Sequence, residues 1–125
     1  DLPFQKIKSV DDLDKEIKIA NKLSKNVILD FYADWCVSCI EMEKYTFSDK
    51  RVQNILSNTV WLQADVTTND KIDQALLKRF GVFGPPTIIF FDINGLQRHG
   101  YEIVGFMKAD NFAKHAKEAL SITDI

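Results

Sequence analysis

Cys36 and Cys39 are the only cysteines in the chain, and they stand three positions apart in Trp35-Cys36-Val37-Ser38-Cys39. Two thiols so placed can open and close a disulfide with little backbone movement. A bridge closing so small a loop constrains the unfolded chain little, so its value is chemical. The pair sits where an apolar run hands over to a helical pattern. Unpaired N–H groups and the positive end of a helix favour a thiolate on the first cysteine. Cys36 is therefore expected to be the exposed nucleophile. Cys39, one turn later and more buried, is expected to resolve the mixed disulfide by attacking Cys36. The redox-active disulfide would carry the electrons itself, with no prosthetic group. The plain alternative is a pair of buried structural thiols. A zinc site lacks ligands, since two thiolates supply half a tetrahedral set and neither His99 nor His115 has ligand spacing. Both histidines read as surface or half-buried residues.

The elements that must hold this pair follow in order. Residues 4–8 alternate apolar and polar, as in a short edge strand. Ser9 or Asp11 can cap a helix carrying Val10, Leu13, Ile17, Ala20 and Leu23. Residues 27–33 form a mostly apolar run, as for a strand buried on both faces, with Asp30 the anomaly inside it. The spacing of Cys36, Cys39, Ile40, Met42, Glu43 and Phe47 predicts one helix. Ser48-Asp49 breaks it and caps a short continuation through Val52, Ile55 and Leu56. A strand over 59–66 follows. A helix capped by Asn69 or Asp70 comes next, with Gly81 at its C′ position. Then come a buried strand over 87–91, an Asn94-Gly95 turn, a return through 101–104 and a last helix over 109–120. The order β-α-β-α-β-α-β-β-α implies an α/β fold with a central mixed sheet and helices on both faces.

At 125 residues the chain fits one domain over 1–125, with 1–8 and 121–125 expected to be loose. A net charge of −2 without a Lys/Arg cluster gives no field for nucleic acid. There is no long apolar run, so this segment is not expected to insert into a membrane. As an isolated domain it is expected to be monomeric. A chain starting at Asp1 reads as processed or as a fragment.

Asp30-Phe31-Tyr32-Ala33-Asp34-Trp35-Cys36-x-x-Cys39, followed by Gly84-Pro85-Pro86-Thr87, resembles the thioredoxin superfamily across nearly the whole chain. Residues 32–39 with Glu41 and 43–49 resemble one branch more closely, as do Asp65-Val66-Thr67-x-Asn69-Asp70 and Val104-Gly105-Phe106-Met107. That branch is the C-terminal periplasmic domains of the transmembrane thiol:disulfide interchange proteins, the DsbD family. The resemblance implies a thioredoxin fold and a protein-disulfide reductase. It implies a domain of an inner-membrane protein facing the periplasm of a Gram-negative bacterium. Electrons would come from a membrane-embedded domain and pass to the N-terminal periplasmic domain of the same protein, with cytochrome c-type biogenesis among the processes served. A disulfide oxidase or isomerase on the same fold, or a redox-inert binding module, are the alternatives. Three departures from plain thioredoxin stand out. Val37-Ser38 replaces its Gly-Pro pair, and Lys44 stands where it has a helix-kinking proline. No lysine lies within 60–66 to partner the buried aspartate.

Two carboxylates are expected to tune the thiols. A buried, unpaired Asp30 should have a raised pKa and oppose a nearby thiolate. Glu43 lies seven residues after Cys36 and four after Cys39, which predicts a shared helix face. Together they are expected to raise the Cys36 pKa and keep the reduced form sluggish until a partner docks. Pro86 matches the family's cis-proline. Family partners pair with the backbone of the residue before it, here Pro85, which has no N–H to donate. Docking should then lean on apolar contact from Trp35, Val37, Phe83 and Phe106 around Gly84. For Phe83 and Phe106, burial in the core is the equal alternative.

Overall fold

The computed structural model describes residues 1–122. Its order is β1 (Gln5–Ile7), α1 (Val10–Lys22), β2 (Asn26–Tyr32), α2 (Val37–Glu41), a π-helical segment (Met42–Phe47), α3 (Lys50–Ile55), β3 (Thr59–Asp65), α4 (Lys71–Arg79), β4 (Thr87–Phe91), β5 (Ile103–Val104) and α5 (Ala109–Ala119). The five strands lie in the order β1-β3-β2-β4-β5. The pairs β1·β3 and β3·β2 are parallel, and β2·β4 and β4·β5 antiparallel. This is the mixed sheet of a thioredoxin fold.

The sheet separates two apolar cores because side chains alternate along each strand. Val27, Leu29 and Phe31 of β2 pack with Leu13 and Ala20 of α1 and Leu76 of α4. Ile28 of the same strand packs with Met42, Phe47, Val52, Phe112 and Ala116 on the other face. Local signals place the helices as expected. Ser9 caps α1 in a reciprocal capping box with Asp12, and Asp70 caps α4 with Asp73 in the same way. Gly81 ends the α4 region at φ +63°, where a side chain would be strained. The turn after β4 closes on Asp92, whose carboxylate accepts from the N–H groups of Asn94 and Leu96 at 2.9 and 3.0 Å, with Gly95 at φ +78°.

The expected looseness at the N-terminus does not hold. Gln5, Lys6 and Ile7 pair with Leu62, Gln63 and Ala64, while Leu2 and Phe4 pack on the second core. At the other end Ile122 still packs on that core and bonds back to the Lys117 carbonyl, and 123–125 lie outside the described residues. The single helix expected from Cys36 to Phe47 instead widens into the π-helical segment. Two side chains of that segment reach past their own helix. Thr46 Oγ1 donates to the Met107 carbonyl at 2.6 Å, and Met42 Sδ accepts from the Met107 N–H at 3.3 Å. The wide turn thus clasps the loop between β5 and α5, consistent with the frequent placement of π-turns at working sites.

Candidate active site

Cys36 and Cys39 form a disulfide with Cα atoms 5.2 Å apart. Cys36 is the N-cap of α2, and its Sγ accepts from the Cys39 N–H at 3.1 Å. A sulfur at this position sits where a helix best stabilises negative charge. The expected contrast in exposure is small, however: Cys36 is 7 % exposed and Cys39 2 %. Cys36 is not an open side chain, because its short side chain turns back to the helix N–H and packs with the core beside Ala33. The exposed surface belongs to its neighbours Trp35 and Val37.

The approach to Cys36 is fixed from the loop that follows β3. Thr67 Oγ1 accepts from the Asp34 N–H at 2.9 Å, and the Thr67 carbonyl accepts from Trp35 Nε1 at 3.1 Å. Asp65 in turn holds Thr67 by accepting from both its N–H and its hydroxyl. Sequence reasoning gave Thr67 no role, although it stands in one of the quoted motifs.

The Pro85–Pro86 bond is cis. Thr87 pairs with Phe31, so this loop sits at the sheet end from which the chain runs to Cys36. Its neighbours tie it down: Gly105 N–H donates to the Pro86 carbonyl at 3.0 Å, and Thr87 Oγ1 donates to the Gly84 carbonyl at 2.8 Å. Phe83 is fully exposed and Phe106 45 % exposed, so neither is a core residue. Phe83, Gly84 and Val104 line one shallow cleft, and Val104 and Ile40 are further exposed apolar residues that the sequence reading did not single out.

Asp30 is buried on the π-segment side of the sheet, where Gln63 Nε2 donates to its Oδ2 at 2.9 Å. The same nitrogen donates to Glu43 Oε2 at 2.9 Å, so one amide joins the two acids. Burial pushes Asp30 up to about 7; Glu43 adds to the rise, while the Gln63 hydrogen bond and the charge of Lys6 oppose it. The acids do come together, but by way of β3 and the wide turn rather than through regular helix spacing. Gln63 was not among the expected site residues. Its signal was a lone amide in the strand over 59–66. The cation missing from that strand is also present nearby: Lys6 Nζ of β1 donates to Gln63 Oε1 at 2.6 Å. The link from this network to the thiols is the β2 backbone, since Cys39 Sγ lies 3.9 Å from the carbonyl of Phe31, the residue after Asp30.

His115 is half-buried and its Nε2 lies 2.7 Å from the Tyr101 carbonyl. Among the described residues no group of three or more His, Cys, Asp or Glu could hold a metal ion, and no helix is long and apolar enough to cross a membrane.

A mixed five-stranded sheet presenting a CxxC disulfide at a helix N-cap defines a thioredoxin-fold disulfide oxidoreductase domain, and the profile of the thioredoxin-like domain family matches residues 13–120. The chain belongs to that family. Within it the chain belongs with the C-terminal domains of DsbD. The oxidised C-terminal domain of Neisseria meningitidis DsbD superposes with a TM-score of 0.79 at 35 % identity, covering 92 % of this chain and 99 % of that one. The thiol:disulfide interchange proteins DsbD of Pseudoalteromonas atlantica and Ralstonia nicotianae are 47 % and 50 % identical over 117 residues, 94 % of this chain. The chain spans only 20 % and 19 % of those two proteins' lengths.

Proposed function

We propose that this domain is a protein-disulfide reductase module that takes two electrons from a membrane-embedded donor domain and hands them to an N-terminal periplasmic acceptor domain. All three would be parts of one inner-membrane protein of a Gram-negative bacterium. The observation that carries the reading is the Cys36–Cys39 disulfide at the N-cap of α2, in a chain that matches DsbD C-terminal domains over nearly its full length.

In the forward step the Cys36 thiolate attacks one sulfur of the acceptor disulfide. The other acceptor sulfur leaves as a thiolate and takes up a proton. Cys39 then gives up its proton, attacks Cys36 Sγ and expels the second acceptor sulfur, which is protonated in turn. The acceptor gains two electrons and two protons, and Cys36–Cys39 is left oxidised. No prosthetic group takes part. Asp30 and Glu43 set how readily Cys36 ionises, holding reactivity back until a docked partner changes their surroundings. Trp35, Val37, Phe83, Gly84, Pro85, Pro86 and Phe106 form the docking face, where Pro85 offers a carbonyl but no N–H.

Stopped-flow mixing of the reduced domain with separately prepared donor and acceptor domains tests the reading. Fast, complete oxidation by the acceptor, and reduction of the oxidised domain by the donor, are expected. Cys36→Ser should abolish both with folding intact. Equilibration with glutathione giving an oxidant as strong as about −120 mV would favour an oxidase instead. Binding without electron transfer in the parent chain would mark a redox-inert module.

A further inference from the structure

Lys6, Gln63 and Asp30 occupy one register across three adjacent strands: Lys6 pairs with Gln63 and Gln63 with Asp30. Their neighbours Ile7, Ala64 and Phe31 pack on the opposite face, so these three polar side chains share one face of the sheet, and Glu43 joins them from the π-helical segment. An amide has one face that accepts and one that donates. Here the Gln63 oxygen meets the Lys6 ammonium at 2.6 Å, and its nitrogen meets both carboxylates at 2.9 Å. Turning the amide over would set its oxygen against two acids and its N–H groups against a cation. Lys6 is itself exposed, and its ammonium also rests 5.3 Å from the Tyr32 ring centroid.

We propose that Lys6 and Gln63 are positioning residues for thiol–disulfide exchange. Lys6, at the sheet edge, holds the Gln63 amide with its N–H groups on Asp30 and Glu43, and so sets the charge of the acid pair that controls thiolate formation at Cys36. The inference rests on the tuning role given to Asp30 and Glu43 above. The charged and titratable groups around the network are Lys6 from β1, Asp30 and Tyr32 from β2, Glu43 from the π-segment, Asp65 from β3, Asp34 beside Tyr32, and the two thiols of α2. Lys6 opposes the upward shift of Asp30, so removing it should favour the protonated acid.

The test uses the chain as it stands, with Lys6→Met, Gln63→Met and the double variant. The oxidised form is followed by carboxyl 13C titration of Asp30 and Glu43, and the reduced form by the pH profile of Cys36 alkylation. Lys6→Met should move the acid titration upward by about half a unit, a change of about threefold in the proton equilibrium, with a matching displacement of the alkylation profile. Lys6→Arg should restore both. In the Gln63→Met background, Lys6→Met should shift the acid titration clearly less, because only the direct field of the ammonium remains once the amide is gone. An equal shift with and without Gln63 would mean a through-space field and overturn the proposal, as would an unmoved acid titration in Lys6→Met. The premise fails separately: an Asp30→Asn/Glu43→Gln variant with an unchanged Cys36 profile would show that the acids do not govern the thiol. Circular dichroism and denaturation of each variant exclude simple unfolding.

Discussion

Asp30 and Asp73 are both buried, at 2 % and 1 % exposure, and each has a lysine from the β1 region, yet they are served differently. Lys8 reaches Asp73 directly at 2.6 Å and also pairs with Asp70 at 2.9 Å. Asp73 further accepts from the Asp70 N–H and the Thr68 hydroxyl, so its charge has donors on both oxygens. Among the described residues Asp30 has a single amide donor, and its lysine stands one residue further away, beyond that amide. A buried charge is tolerated when it is paired and hydrogen-bonded; otherwise the group moves toward its neutral form. Asp73 therefore serves as a structural anchor for α4. Asp30 is left able to gain or lose a proton near neutral pH, where thiol chemistry runs.

The largest test of this contrast is the sign of a stability change. The folded pKa of Asp30 is raised from 3.8 to about 7. Between those values the native state holds a proton that the unfolded chain releases, so stability falls as pH rises through that window and the cost is complete above it. A shift of that size corresponds to at most about 4 kcal/mol. Asp30→Asn should accordingly raise the unfolding free energy at pH 8 by about 2–4 kcal/mol and change it little at pH 4. Urea denaturation at both pH values measures this, and a loss of stability at pH 8 would contradict the assignment of Asp30 as the strained acid. Asp73→Ala should have the opposite sign. It removes charge-assisted hydrogen bonds and half of a capping box, at a cost of about 2–3 kcal/mol near pH 7. A neutral or stabilising Asp73→Ala would remove the distinction between the two acids.

The contrast also explains what the sequence could and could not reveal. Asp30 was conspicuous because a carboxylate interrupts an apolar run, and the Cys-x-x-Cys spacing names its own chemistry. Capping by Ser9 and Asp70 follows from local chemistry, as does the turn at Asn94-Gly95. The partner of Asp30 was not visible, because Gln63 and Lys6 become its neighbours only through the register of two parallel strands that are far apart in sequence. The π-turn was equally hidden. Apolar residues between Cys36 and Phe47 fit a regular helix, and the contacts that accompany the wide turn join Met42 and Thr46 to Met107, 65 and 61 positions away. The burial of Cys36 is hidden from the sequence for a related reason. Position at a helix start suggests an open thiol, whereas packing beside Ala33 covers it. Phe83 and Phe106 could not be divided between core and surface until the loops on either side of β4 and β5 were placed.

The smallest effect separates the two lysines themselves. Lys8→Met leaves a buried carboxylate without its cation, whereas Lys6→Met leaves only a neutral amide oxygen without a donor. Losing a partner costs more for a charged group than for a neutral one, so Lys6→Met, at about 0.5–1 kcal/mol, should be the milder of the two changes. The pH windows differ as well. Hydrogen bonds from the ammonium to Asp73 and Asp70 hold Lys8 above its ordinary 10.5, so its contribution persists through neutral pH and is lost only as pH rises through that raised value. The benefit of Lys6 to Asp30, in contrast, begins only where Asp30 ionises, toward pH 7. Denaturation midpoints of the two variants at pH 5 and pH 8 should thus differ in pattern: Lys8→Met lowered at both, Lys6→Met lowered more at pH 8. Identical patterns would make Lys6 a second structural anchor, and its position next to the acids proposed to tune the thiol would then carry no functional meaning.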